Sequence, residues 1–378
     1  MNKKKLLIFI DWYYPAFKAG GPIKSVHNIA SALKEEMDIS IVTSAYDLDG
    51  VALLENVEPN TWIERDGVQV IYLDKNHQQK SFIKQCIKVV SPDIVYFNSL
   101  FSRSFTLTPL LLSKKLGIKK IILAPRGMLG KAALEIKPLK KRLFISISRI
   151  FGLFNDIIWH ASSELEKQEI EWLFGKASTI VIAQNISGVV SERLISTDFK
   201  QKGELKLIFF SRINSKKNLK LAIEVLVGLN QAGISLDIYG PVEDDEYWEE
   251  CKILMNSSTV AINYKGLIHP ENLINTLQQY HFLLFPTKHE NYGHVITESL
   301  CAGLPVIISE HTPWRNLEKS NVGYDLPLTL DAFFSVLAEL VEEENSTYNL
   351  KVAAASNYSK TYIVHSSIIE QNRKLFQE

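Results

Sequence analysis

Short apolar runs alternate with amphipathic stretches along the whole chain, and the pattern halts near the middle and begins again. Strands buried on both faces read as unbroken runs of Val, Ile, Leu and Phe, and helices between them bring the chain back for the next parallel strand. Strands are therefore expected at Leu6 to Ile10, Ile39 to Val42, Val68 to Leu73, Ile94 to Phe97, Ile121 to Ala124 and Ile157 to Ala161. The second series runs through Leu205 to Phe210, Leu236 to Tyr239, Val260 to Tyr264, Phe282 to Phe285 and Val306 to Ile308. The fold class is α/β, and 378 residues favour two domains. The polar stretch Ser191 to Gly203 is the expected linker, and a crevice between two such domains is a natural ligand site.

Composition removes several alternatives. Lys plus Arg, 42, equals Asp plus Glu, 42, so no global field recruits nucleic acid. Cys86, Cys251 and Cys301 lack metal-ligand spacing and suit a reducing compartment better than a disulfide framework, hence a cytoplasmic address. The start, Lys3-Lys4-Lys5 and then Leu6 to Ile10, imitates a signal peptide, but Asp11 closes the apolar run and makes it a first buried strand. No run approaches the roughly eighteen apolar residues of a membrane span.

The most informative segment runs from Pro286 to Ile307. Pro286 ends an apolar strand because it has no N–H for the ladder, and Gly293 lets the backbone turn into a helix. Glu290 is placed in the loop and Glu298, eight positions on, in the first turns of the helix. Both are expected at the carboxyl ends of parallel strands, where open α/β sheets bind ligands. The backbone amides of Asn291, Tyr292 and Gly293 would lie beside them as donors to an anionic or hydroxyl-rich ligand.

This segment resembles the Glu-x7-Glu signature of retaining, nucleotide-sugar-dependent glycosyltransferases of the GT-B fold, family 4. The resemblance implies two Rossmann-like parallel-sheet domains facing a central cleft: 1–195 for the acceptor, 196–357 for the nucleotide sugar, and a last helix, 358–378, crossing back to the first domain. It implies that Glu290 bonds hydroxyls of the donor sugar and that Glu298 holds the ribose.

Other segments fit the same chemistry. Gly20-Gly21-Pro22 follows the first strand and opens a helix with apolar Ile23, Val26, Ala30 and Leu33. In the resembled family this loop lies under the donor phosphates and the acceptor, although a glycine loop without ligand is also open. No G-x-G-x-x-G or Walker A lysine supports a dinucleotide or ATP. Arg212 and Lys217, five apart after the first strand of the second series, can hold a departing diphosphate without a metal, because the charge that builds on it needs cations fixed in place. They match the arginine and lysine with which the family grips the two phosphates. The chain departs from the family in having Asn218 where glycine is usual, and Lys216 is a second candidate for the lysine role.

Arg126, in Pro125-Arg126-Gly127-Met128-Leu129, stands where many members have a histidine near the reacting sugar. It can pair with a phosphate or an acceptor carboxylate, or form a structural salt bridge. In Trp159-His160-Ala161-Ser162-Ser163-Glu164 the serines suit a helix N-cap, and His160 is a substrate-binding candidate or a satisfied structural group. The loop at Leu267 frames the nucleobase in the family. Leu139 to Phe151 combines an apolar stripe with basic residues, as do helices that rest on anionic membranes, although an ordinary domain helix with solvated lysines is preferred. Asp47-Leu48-Asp49 matches the metal-holding D-x-D pair of another glycosyltransferase fold and is read here as a loop, so no metal ligand is expected.

Together with the resemblance, these residues imply a metal-independent hexosyltransferase with no cofactor beyond a UDP-, GDP- or dTDP-sugar co-substrate. The resemblance further implies a glycan or lipid-linked saccharide as acceptor, in surface polysaccharide or glycolipid assembly, with peripheral contact at the inner face of the cell membrane as the alternative to an ordinary domain helix. A sugar-nucleotide hydrolase or epimerase of the same fold, or a non-catalytic nucleotide-sugar-binding protein, shares these residues.

Overall fold

The computed structural model describes residues 3–135, 138–176, 178–188, 190, 191, 193 and 199–377. The chain forms two compact units, one of Met1–Ile186 with Ser366–Glu378 and one of Ser187–His365. The expected domain boundary at 195/196, and much of the expected linker, lie outside the described residues.

The first unit contains β1 (Lys4–Phe9), β2 (Met37–Ser44), β3 (Trp62–Arg65), β4 (Val68–Leu73), β5 (Ile94–Phe97), β6 (Lys120–Leu123), β7 (Ile158–Ala161) and β8 (Thr179–Ile182). They form one sheet ordered β3-β4-β2-β1-β5-β6-β7-β8, parallel except where β3 pairs antiparallel with β4. Successive side chains leave a strand on opposite faces, so the run in β1 feeds two cores. Leu6 and Ile8 pack with Val26, Ile29 and Leu33, whereas Leu7 and Phe9 pack with Ile83, Leu110 and Trp159. Asp66 and Gly67, both at positive φ, make the two-residue turn of the β3–β4 hairpin. The helix Ser366–Gln377 belongs to this unit: Ile368, Leu375 and Phe376 enter its core, and Arg373 pairs with Glu36 at 2.7 Å. Tyr358 to His365, expected to begin that crossing segment, remain with the second unit.

The second unit contains β9 (Leu205–Phe210), β10 (Ile234–Tyr239), β11 (Ala261–Gly266), β12 (Phe282–Phe285), β13 (Val306–Ser309) and β14 (Gly323–Leu326). All pair in parallel, in the order β11-β10-β9-β12-β13-β14. Each sheet therefore has a switch point where its strand order reverses, β1/β5 in the first unit and β9/β12 in the second. Loops leaving two such strands diverge to opposite sides of the sheet and open a crevice at their carboxyl ends. Among the described residues no helix is long and apolar enough to cross a membrane.

Candidate functional site

The β9/β12 switch point brings Lys217 and Glu290 together. After β9 the chain turns through Arg212 to Asn218 before the helix Leu219–Leu229. The Asn214 side-chain oxygen accepts from the amides of Lys216 and Lys217, both at 3.1 Å, and curls the loop so that Lys217 faces β12. Asn218 caps the helix at φ 60°, a left-handed conformation that asparagine and glycine tolerate best, and its side chain donates to the Pro286 carbonyl at 3.0 Å. The departure from glycine at this position is thus one that the backbone accommodates.

The loop after β12 is fastened to the first. The Lys288 amide donates to the Lys216 carbonyl at 2.9 Å, and the Glu290 amide to the His311 carbonyl at 3.0 Å. The Lys217 ammonium is ion-paired with the Glu290 carboxylate, and the two side chains are only 11% and 14% exposed. The Phe285 ring lies beneath that ammonium, its centroid 5.5 Å away. Half-buried His289 precedes Glu290, and burial, then the Lys216 charge, hold its ring below the ordinary histidine range.

Gly293 starts the helix His294–Cys301 at φ 81°. A Cβ there would meet the tip of the Ile296 side chain at 2.8 Å, which can shift, so it is the left-handed backbone that calls for glycine. Glu298 follows in this helix, half-buried. Tyr292 is held by its own partners: its hydroxyl lies 2.8 Å from the Ser187 hydroxyl, and its carbonyl accepts from the Trp314 indole at 2.5 Å.

Arg212 is not on Glu290. Its guanidinium pairs with Glu243 at 2.7 Å, and the Asn214 amide donates to the other Glu243 oxygen. Gly240, after β10, permits the loop carrying Glu243 to pass, because a Cβ there would lie 1.8 Å from the Ser211 carbonyl oxygen. The Gly240 amide donates to the Gly266 carbonyl at 2.8 Å, which ties the end of β11 to the end of β10 and fixes the approach to Leu267. Asn214 and Glu243 were not singled out from the sequence. The Asx turn three residues before Lys217 is a readable signal for the first, but the pairing of Glu243 depends on how β9 and β10 align.

Other candidate residues lie in the first unit. Gly20 and Gly21 open the helix Gly21–Leu33 after β1, with Gly20 at φ 68°. Asp47 accepts from the amides of Phe17 and Lys18, and Asp49 pairs with Lys18, so both carboxylates brace this loop. Ser163 caps the helix Glu164–Phe174 through the Glu166 amide. His160 requires a correction. It has no exposed surface, its Nε2 donates to the Ala183 carbonyl at 2.8 Å, and its Nδ1 accepts from the Tyr96 hydroxyl at 2.9 Å. Burial, then the nearby Arg126 charge, push its pKa down to about 3. It is a neutral structural group without a face for substrate. Arg126 sits in front of it, bonded to Asn98, Asn185 and Tyr96 and to no carboxylate among the described residues.

Residues 190–356 match the family model of glycosyl transferases group 1, a stretch that includes Arg212, Lys217, Glu290 and Glu298. No curated protein matches the chain in sequence. Among solved structures, Anabaena HepE in complex with UDP and glucose is similar at 13% identity over 98% of each chain, with a TM-score of 0.74. Sucrose-phosphate synthase from Thermosynechococcus elongatus is 12% identical over 100% of this chain and 98% of that one, with a TM-score of 0.75. WaaG, a glycosyltransferase involved in lipopolysaccharide biosynthesis, is 13% identical over 99% of this chain and 100% of that one, at 0.69. At these identities the likeness establishes the fold, the two parallel-sheet α/β units of GT-B proteins.

Proposed function

We propose that the chain is a retaining glycosyltransferase of family 4 that moves a hexose from a nucleoside diphosphate to an acceptor hydroxyl. The observation that carries this reading is the contact between Lys217 and Glu290 at the β9/β12 switch point, within the stretch that matches the group 1 family. A diphosphate leaving group gathers negative charge as the glycosidic bond breaks, and a cation already fixed in a water-poor site stabilises it without reorganisation. Lys217, with Arg212 of the same loop, supplies that charge without a metal. On donor binding Lys217 exchanges the Glu290 carboxylate for a phosphate, and Glu290 is released to accept from sugar hydroxyls. Glu298, eight residues on and one turn into the helix His294–Cys301, takes the ribose. The acceptor proton passes to an oxygen of the departing phosphate on the face from which the diphosphate leaves, so the anomeric configuration is retained.

A nucleotide-sugar donor is supported by the UDP and UDP-glucose complexes of HepE, and glycan or lipid-linked acceptors by the role given for WaaG. In the helix Pro138–Ile150 and the residue after it, Leu139 and Phe151 are 83% and 80% exposed, and Leu143, Ile147 and Ile150 are exposed between them. Lys140, Arg142 and Arg149 are exposed on the same segment. This combination fits the proposed contact with the anionic inner face of a membrane, where surface polysaccharide or glycolipid precursors are built. The test of the activity is NMR of the product anomer formed from a sugar nucleotide and a lipid-linked acceptor. Retained configuration supports the assignment, whereas turnover without acceptor marks a hydrolase.

A further inference from the structure

The first unit has its own switch point, at β1/β5, and the residues around it hold a cation in an unusual way. Asn98 follows β5 and bridges two other segments: its side-chain amide donates at 3.2 Å to the Pro22 carbonyl, in the first turn of the helix Gly21–Leu33, and its oxygen accepts from Arg126 Nε at 2.5 Å. Asn185 accepts from one terminal nitrogen of Arg126, and the Tyr96 hydroxyl oxygen accepts from the other at 2.5 Å. Tyr96 can take this bond because its own proton goes to His160 Nδ1, whose ring is fixed by Nε2–H on Ala183. Asn98, Asn185, Tyr96 and His160 are all buried.

All three partners of the guanidinium are neutral. Buried Glu166 is occupied elsewhere, by the Gly127 amide at 2.6 Å and by the amide and hydroxyl of Ser162, each at 2.8 Å. Arg126 itself stands at φ 54°, in a conformation that a long side chain seldom adopts, followed by Gly127 at φ 72°. A guanidinium carries five N–H groups and keeps its charge. Three are used, which leaves one N–H on each terminal nitrogen among the described residues, the number a bidentate oxyanion takes. In the second unit the corresponding crevice has its lysine already paired with Glu290. In the first the cation is positioned and, among the described residues, lacks an anion.

We propose that the β1/β5 crevice is an oxyanion site in which Arg126 receives a phosphate or carboxylate carried by the acceptor, with Asn98, Asn185 and Tyr96 as positioning residues. The acceptor of this chain is thus an acidic saccharide or a saccharide phosphate. This rests on the transferase reading only for the word acceptor; the anion site stands on the geometry of the first unit.

The test is calorimetric titration of the full chain, saturated with whichever nucleoside diphosphate stabilises it, with inorganic phosphate and separately with glucuronate. The preference between the two probes tells a phosphate-bearing acceptor from a carboxylate-bearing one. Saturable binding to the wild type is expected, weakened about ten-fold or more in Arg126→Gln and less in Arg126→Lys, which keeps the charge but not the fork. Nucleoside diphosphate affinity should change less than about two-fold in both variants, on the same argument that the donor phosphates are held elsewhere. If no nucleoside diphosphate binds, the same titrations on the bare chain still judge the anion site, so its failure and that of the transferase reading remain distinct. Absence of saturable binding to the wild type, or unchanged binding in Arg126→Gln, overturns the proposal. An equal loss of nucleoside diphosphate affinity in Arg126→Gln also overturns it, by moving Arg126 to the donor.

Discussion

Lys217 and Glu290 come from loops 73 residues apart, and their side chains form an ion pair at the point where the strand order of the second sheet reverses. Both are nearly buried. Removing one partner from such a pair strands the other charge, at a cost of roughly 3 kcal/mol. Glu290→Ala is therefore expected to lower the melting temperature of the ligand-free chain and to lose sugar transfer. It should bind nucleoside diphosphate at least as well as the wild type, because Lys217 is released from competition. Calorimetry and a transfer assay on the same preparation check both; unchanged transfer removes Glu290 from the mechanism.

Asn218 holds a left-handed conformation and a bond to the Pro286 carbonyl. Asn218→Gly keeps the first and should cost about 1 kcal/mol, whereas Asn218→Ala loses both, at about 2 kcal/mol. Denaturant unfolding of the two variants measures the difference, and alanine no worse than glycine would show that φ at this position does not matter.

The Cβ of Gly240→Ala would meet the Ser211 carbonyl at 1.8 Å in a backbone with φ 137°. The β9 and β10 loops must then part, at a cost of more than about 3 kcal/mol. Circular dichroism melting should show that loss, with weakened nucleotide binding in whatever fraction folds. A near-normal melt would mean that the loop carrying Arg212 tolerates displacement.

His281 is buried with Nδ1 accepting from the Lys206 amide at 3.0 Å and Nε2 donating to the Phe199 carbonyl at 3.2 Å. Burial pushes its pKa down from 6.5 to about 3. Unfolded chain takes up a proton as pH falls below about 6.5, whereas the folded chain refuses it until pH nears 3, so this contribution to stability is full above that window and shrinks through it. His160 acts with the same sign. Melting temperatures across this range should fall with falling pH, and His281→Gln should start lower at neutral pH but fall less steeply. Parallel slopes would assign the acid sensitivity to other groups.

The exposed stripe from Leu139 to Phe151 should bring the chain down with vesicles rich in phosphatidylglycerol but not with neutral ones, and less so as salt screens the basic residues. Leu143→Glu with Ile150→Glu should abolish co-sedimentation without changing the melting temperature, because both side chains already face solvent. Binding that survives the pair of substitutions would place any membrane contact elsewhere.

Much of the architecture could be read from the amino acids because parallel strands buried on both faces leave unbroken apolar runs. Three strands escaped notice for reasons of composition. Trp62–Arg65 is a half-exposed hairpin strand, Thr179–Ile182 is short and at an edge, and Gly323–Leu326 carries Asp325, whose carboxylate accepts from the Leu317 amide at 2.9 Å. At the site, Glu290 and Lys217 stood out because they lie in loops that follow strands, and Glu298 through its eight-residue spacing from Glu290. Glu243 did not, since its pairing is set by the register of β9 on β10. His160 looked chemical in the sequence, but depth within the first sheet makes it a support for Tyr96 and Arg126, and burial of that kind is invisible until strands are assembled.

The most direct measurement is the thermal shift of the purified chain with UDP, GDP, ADP and dTDP, repeated on Arg212→Ala and Lys217→Ala. The account predicts a clear rise with one of the four diphosphates, lost in both variants. No rise with any of them, or a rise that both variants preserve, would contradict a diphosphate grip at the β9/β12 switch point.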